Sequence, residues 1–136
     1  MSFGQAVRSC LSKYATFDGR ATRSEFWWFY LFTLIVSFVV LLPGYILMIA
    51  GAAASSDSSS PGVVFWLGLV LIIIGALASL ALYIPFLAVG CRRLHDRGQS
   101  GWLQLLLLVP CGNIVLLVFW VMEGTPGDNA YGPKPA

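Results

Sequence analysis

Two uninterrupted apolar runs constrain this chain more than any other feature in it. Residues 26–54 contain no charged side chain, and neither do residues 63–89. As a helix at ~1.5 Å per residue, the first run is roughly 43 Å long. The hydrocarbon core of a bilayer is about 30 Å thick, and two crossings would need about 40 residues, so this run is one span. The rest of the chain cannot shield such helices from water. Of its 136 residues only 10% are charged and 58% are hydrophobic, whereas a soluble domain carries about 25% charged residues. The expected fold class is an all-α integral membrane protein.

The length suits a single membrane domain over residues 1–136 with no separate soluble module. Residues 2–14 read as an amphipathic helix, with Phe3, Ala6, Val7, Cys10, Leu11 and Tyr14 at helical spacing. Ser2 and Gln5 have the spacing of a capping box. The helix is too short and polar to cross a bilayer. It either lies in the interface with its basic face toward head groups or packs on the protein's own helices. Asp18 and Gly19 mark a turn, and Thr22 with Glu25 repeats the capping pattern at the start of the first span, residues 23–54. Pro43 and Gly44 are expected to kink that span or end its regular part. Ala52, Ala53 and Ala54 resemble a signal cleavage site, but the run is far longer than an h-region of about 7–15 residues.

A serine-rich loop with Asp57 follows, and Ser60-Pro61 reads as a helix start. The second span with its cytoplasmic extension covers residues 61–97. Gly68, Gly75 and Ser79 share a face suited to close helix packing rather than to lining a pore. Gly98 suits a helix C-terminus and Ser100 the next N-cap. The third hydrophobic segment, residues 101–123, is broken by Pro110-Cys111-Gly112-Asn113. A re-entrant or short helical hairpin is preferred to one kinked span with Trp102 and Trp120 near the two interfaces. Residues 124–136 form an extended tail.

Basic residues orient membrane proteins with their basic side toward the cytoplasm. Arg8, Lys13, Arg20 and Arg23 precede the first span, Arg92, Arg93 and Arg97 follow the second, and the serine loop has no Lys or Arg. The N-terminus is therefore expected in the cytoplasm. Trp27 and Trp28 would mark the inner interface and Trp66 the outer one.

If the two spans are antiparallel neighbours, Arg20, Arg23 and Glu25 face Arg92, Arg93, His95 and Asp96. Glu25 can pair with Arg92 or Arg93, and Arg92 with Asp96 four residues on. These residues read either as topology signals with interfacial salt bridges or as a candidate anion or partner site, for which arginine's planar fork is suited. His95 beside Asp96 invites a catalytic reading on a lipid-borne substrate, yet adjacent helical residues point apart. Cys91 and His95 can share a helix face as thiol and base, with no third group evident. Cys10, Cys91 and Cys111 show no disulfide or zinc spacing. No P-loop, nucleophile elbow or dinucleotide fingerprint is present, and the charge needed for nucleic acid is missing.

Three motifs occur in order: Phe17-Asp18-Gly19-Arg20-Ala21-x-Arg23-x-Glu25-Phe26-Trp27, Arg92-Arg93-Leu94-His95-Asp96-x-Gly98-x-Ser100-Gly101-Trp102, and Gly124-Thr125-Pro126-Gly127-x-Asn129-x-Tyr131-Gly132-Pro133. Together they resemble the bacterial inner-membrane proteins of the YhaH/YhaI type, the domain of unknown function 805 family. Lys134 departs from that pattern, which often has an acid after Gly-Pro. The resemblance covers nearly the whole chain and implies a multi-pass inner-membrane protein with no established activity. It adds the tail residues Gly124, Thr125, Gly127, Asn129 and Tyr131 to the pattern. No cofactor and no catalytic or metal residues are expected. The expected function is non-enzymatic binding of lipid head groups or a partner, and the alternative is a small oligomeric transporter or channel component. Membrane lipids, anionic head groups among them, and a second copy or another membrane protein are the expected partners.

Overall fold

The computed structural model describes residues 1–55 and 60–135. Residues 56–59, most of the serine-rich loop, lie outside the described residues. Among the described residues five helical segments follow one another: α1 (Phe3–Ser12), α2 (Arg23–Ala54), α3 (Val63–Asp96), a 3-10 helix (Gly101–Leu108) and α4 (Gly112–Val121). No strand occurs among the described residues, only an isolated bridge between Asn129 and Gly132.

α2 and α3 are both long and apolar enough to cross a membrane. Most apolar side chains along their middles are not turned inward. Phe38, Ile49, Leu77 and Leu80 are each more than 60% exposed, whereas the core helix of a soluble protein hides such side chains. α2 continues past Pro43, and α3 contains Pro85, so of the two outcomes expected at Pro43-Gly44 the end of the helix does not occur. α3 begins at Val63, and Gly62 rather than Ser60 supplies the carbonyl that Phe65 N–H (3.1 Å) and Trp66 N–H (3.4 Å) reach.

The chain divides into two compact units. One is Thr33–Leu82, holding parts of α2 and α3. Here small residues set the packing. A Cβ on Gly51 would collide with the backbone of Phe65, and one on Gly68 with the backbone of Met48. The two helices therefore touch main chain to main chain, as small residues allow in membranes. Ser37 and Ser79 add a hydroxyl pair at 3.2 Å. The small-residue face is thus used inside the chain.

The other unit is Met1–Phe32 with Tyr83–Ala136. Its core gathers Cys10, Ala21, Phe26, Phe29, Val89, Leu94, Leu116 and Trp120. Phe26 anchors it, with ring centroids 4.8 Å from Trp120 and 5.9 Å from Phe86. α1 starts in a full capping box: Ser2 Oγ accepts from Gln5 N–H, and Gln5 Oε1 from Ser2 N–H. Its apolar side enters this core through Ala6 and Cys10. After α3, Gly98 takes φ 71°, the left-handed conformation that glycine tolerates. The 3-10 helix and α4 pack on each other across the turn at Pro110-Cys111. At ~2 Å per residue the former is roughly 16 Å long, and at ~1.5 Å per residue α4 is about 15 Å.

Candidate functional site

The polar residues of the second unit converge on the C-terminal end of α3. A helix leaves its last four carbonyls without intrahelical partners, and here the tail reaches two of them, His95 O and Asp96 O. Thr125 donates to Asp96 O from its N–H (2.8 Å) and its hydroxyl (3.1 Å). Asn129 Nδ2 donates to His95 O (2.9 Å), and Gly98 N–H to the same carbonyl (2.9 Å).

Arg20 ties the first motif to the other two. Its Nε donates to Asp96 Oδ1 (2.9 Å), and its terminal nitrogens donate to the tail carbonyls of Gly127 (2.7 Å), Thr125 (3.0 Å) and Gly132 (3.3 Å). Arg93 does the same for the end of α4. Its Nε donates to Trp120 O (3.1 Å), its Nη2 to Met122 O, and its Nη1 to Asp96 Oδ2. Asp96 is therefore shared by Arg20 and Arg93. Arg92 turns the other way and pairs with Glu25 at 2.9 Å. The expected Arg92–Asp96 pair does not form: the carboxylate lies on the Arg93 side, three residues back, where Arg20 also reaches it. Glu25 Oε1 additionally accepts from Ser9 Oγ (2.9 Å) and Cys10 Sγ (3.8 Å). Nothing in the sequence singled out Ser9 and Cys10 as its partners. Burial and the Glu25 charge push the Cys10 thiol up to about 12.

Arg20, Glu25, Arg92, Arg93, His95 and Asp96 are all buried. Arg23 is the exception: half exposed, it meets the exposed Glu123 at 3.2 Å. Arg23 and Arg93 line an open cavity of ≈ 270 Å³ together with Lys134, Thr22 and Thr125. His95 looks elsewhere. Its Nδ1–H donates to Gly19 O (3.1 Å), which leaves Nε2 facing Cys91 Sγ at 3.6 Å. Tyr131 stacks flat on the imidazole, 3.9 Å away and 2° from parallel. His95 and Asp96, adjacent in sequence, thus serve different surroundings and form no catalytic pair. Among the described residues no group of three His, Cys, Asp or Glu side chains could hold a metal.

Residues 14–133 match the family described as Protein of unknown function (DUF805). The chain belongs to that family. Inner membrane protein YhaI of Escherichia coli (strain K12) is 41% identical over 128 residues, 93% of this chain and 92% of that protein. Inner membrane protein YhaH of the same strain is 36% identical over 126 residues, 92% and 91% of the two chains. No solved structure matches. This DUF805 protein has the apolar helices that an inner-membrane protein requires, and its relatives carry no specific activity in their names.

Proposed function

We propose that this DUF805 protein is a non-enzymatic inner-membrane protein, with its N-terminus in the cytoplasm, that binds anionic lipid head groups at the polar end of α3. The observation that carries this reading is the ≈ 270 Å³ cavity with Arg23, Arg93 and Lys134 in its lining. Asp96 in the same lining is already neutralised by Arg20 and Arg93. The Arg23–Glu123 pair is exposed, and such pairs contribute only about 0–1 kcal/mol, so a phosphate can displace the carboxylate. Arg20, Arg92 and Arg93 are framework rather than ligand groups in this reading, because each is buried and ion-paired, so Arg23 and Lys134 carry the binding.

The cytoplasmic orientation is supported by the basic residues on either side of the first two spans and their absence from the serine loop. The third segment is read as a re-entrant hairpin. Its two helices, of about 16 and 15 Å, each match half of a ~30 Å bilayer core. α1 is read as lying in the interface beside it.

The test is the anionic lipid retained by the purified protein. Arg23→Gln with Lys134→Gln should lower phosphatidylglycerol retained after detergent exchange by about fivefold, from two exposed charge contacts. Retention equal to that of the unaltered protein would rule the reading out.

A further inference from the structure

A second cavity lies on the other side of α3's polar end. Tyr83, Leu87, Cys91 and His95, four residues apart, form one stripe of α3 and line an open groove of ≈ 840 Å³. From Tyr83 to His95 the stripe is roughly 18 Å long, about the depth of one bilayer leaflet, ~15 Å. The facing wall is the 3-10 helix, through Leu105 and Leu108, and Leu108 is 83% exposed. Gln104, a polar side chain in that wall, is committed by a 2.9 Å hydrogen bond to Leu87 O. Gly101 sits so close to α3 that a Cβ there would collide with Cys91 Sγ.

The His95 end of the groove is different. Asp18 and Tyr131 line it there, and His95 holds Tyr131 and the residue after Asp18. The bond from Nδ1–H to Gly19 O anchors the turn that carries Asp18, and Tyr131 is stacked on the ring. All three sequence motifs thus contribute to one mouth. The ion pairs among the described residues use Glu25, Asp96 and Glu123 and leave the Asp18 carboxylate uncommitted. No arginine or lysine is in the groove's lining, while Phe17 and Tyr131 bring aromatic rings to it. A carboxylate beside ring faces attracts an ammonium and repels a head group of net negative charge.

The geometry points to a seat for one glycerophospholipid with an ammonium head group, its acyl chain along the Tyr83–His95 stripe and its ammonium at Asp18. The charge complementarity is opposite to that of the arginine- and lysine-lined cavity, so the two sites select different lipids.

The test uses the full chain in mild detergent, exchanged against equimolar phosphatidylethanolamine and phosphatidylglycerol, with bound lipid counted by native mass spectrometry. The unaltered protein should retain one ethanolamine lipid per chain, whatever phosphatidylglycerol the other cavity holds. Asp18→Asn, at an exposed position, should lower that lipid about fivefold and leave the phosphatidylglycerol count as it was. Leu87→Trp, which fills the apolar channel, should remove the ethanolamine lipid. Absence of ethanolamine lipid from the unaltered protein, or full ethanolamine-lipid retention by Asp18→Asn, would overturn the proposal. The phosphatidylglycerol count reports separately on the other cavity.

Discussion

At the scale of single residues, the paired charges differ sharply in what they can tolerate. Arg92 and Glu25 are almost wholly buried, and removing one member of such a pair leaves an uncompensated charge at a cost of about 3–5 kcal/mol. Arg92→Gln should therefore lower thermal stability strongly, and adding Glu25→Gln should restore most of it. Additive losses in that double-mutant cycle would show that the two side chains do not act as a pair. Arg23→Gln, whose partner is exposed, should change stability by less than about 1 kcal/mol. Cys10 gives a pH-dependent counterpart. With its thiol at about 12 in the fold and 9.0 as the ordinary value, the folded state holds the proton more tightly. Its contribution is intact below pH 9 and declines as the pH rises toward 12. Maleimide at pH 8 should spare the buried Cys10 in the folded protein and label it after unfolding. Rapid labelling of Cys10 under native conditions would contradict that environment. The charged residues announced themselves in the sequence by their rarity and their clustering at the ends of apolar runs. Their pairing did not, because it depends on which side of α3 each guanidinium leaves and on where the tail returns.

At the scale of elements, periodicity and capping chemistry carried most of the information. Ser2 with Gln5, Thr22 with the Glu25 N–H (3.1 Å) and Ser100 with the Trp102 N–H (3.3 Å) all make the local bonds that their spacing suggests. Pro43 does not end α2, since a proline in a long apolar helix is tolerated where its surroundings re-satisfy the backbone. The 3-10 geometry of Gly101–Leu108 was also not legible, since its apolar residues fit either helix type over so short a stretch. The close contact of α2 and α3 yields a prediction at this scale. Gly68→Leu would drive a side chain into the Met48 backbone and should destabilise the protein by several kcal/mol, in the manner of overpacking. Gly4→Leu, where a Cβ meets nothing, is the control and should be nearly silent. Equal thermal shifts in the two variants would mean that the helices do not touch at Gly68.

At the scale of the whole chain, the decisive quantity is the side of the membrane on which the tail resides. Composition established a membrane protein, and the three motifs identified the family, but neither determines whether residues 101–123 cross. The hydrogen bonds are more informative. Arg20, just ahead of the first span, donates to three tail carbonyls, and Asn129 and Thr125 cap the end of α3. A tail across the bilayer could make none of these bonds. C-terminal fusions to reporters active only inside or only outside should therefore report the cytoplasm, matching N-terminal fusions. Arg20→Gln should then free the tail, giving faster proteolysis after residue 123 from the cytoplasmic side while both fusions keep their side. An external C-terminus would dismantle the shared polar end, and with it both proposed lipid sites, since Lys134 lines one cavity and Tyr131 the other. A cytoplasmic C-terminus with a proteolysis rate unchanged by Arg20→Gln would preserve the topology but place the grip on the tail in the Thr125 and Asn129 bonds instead.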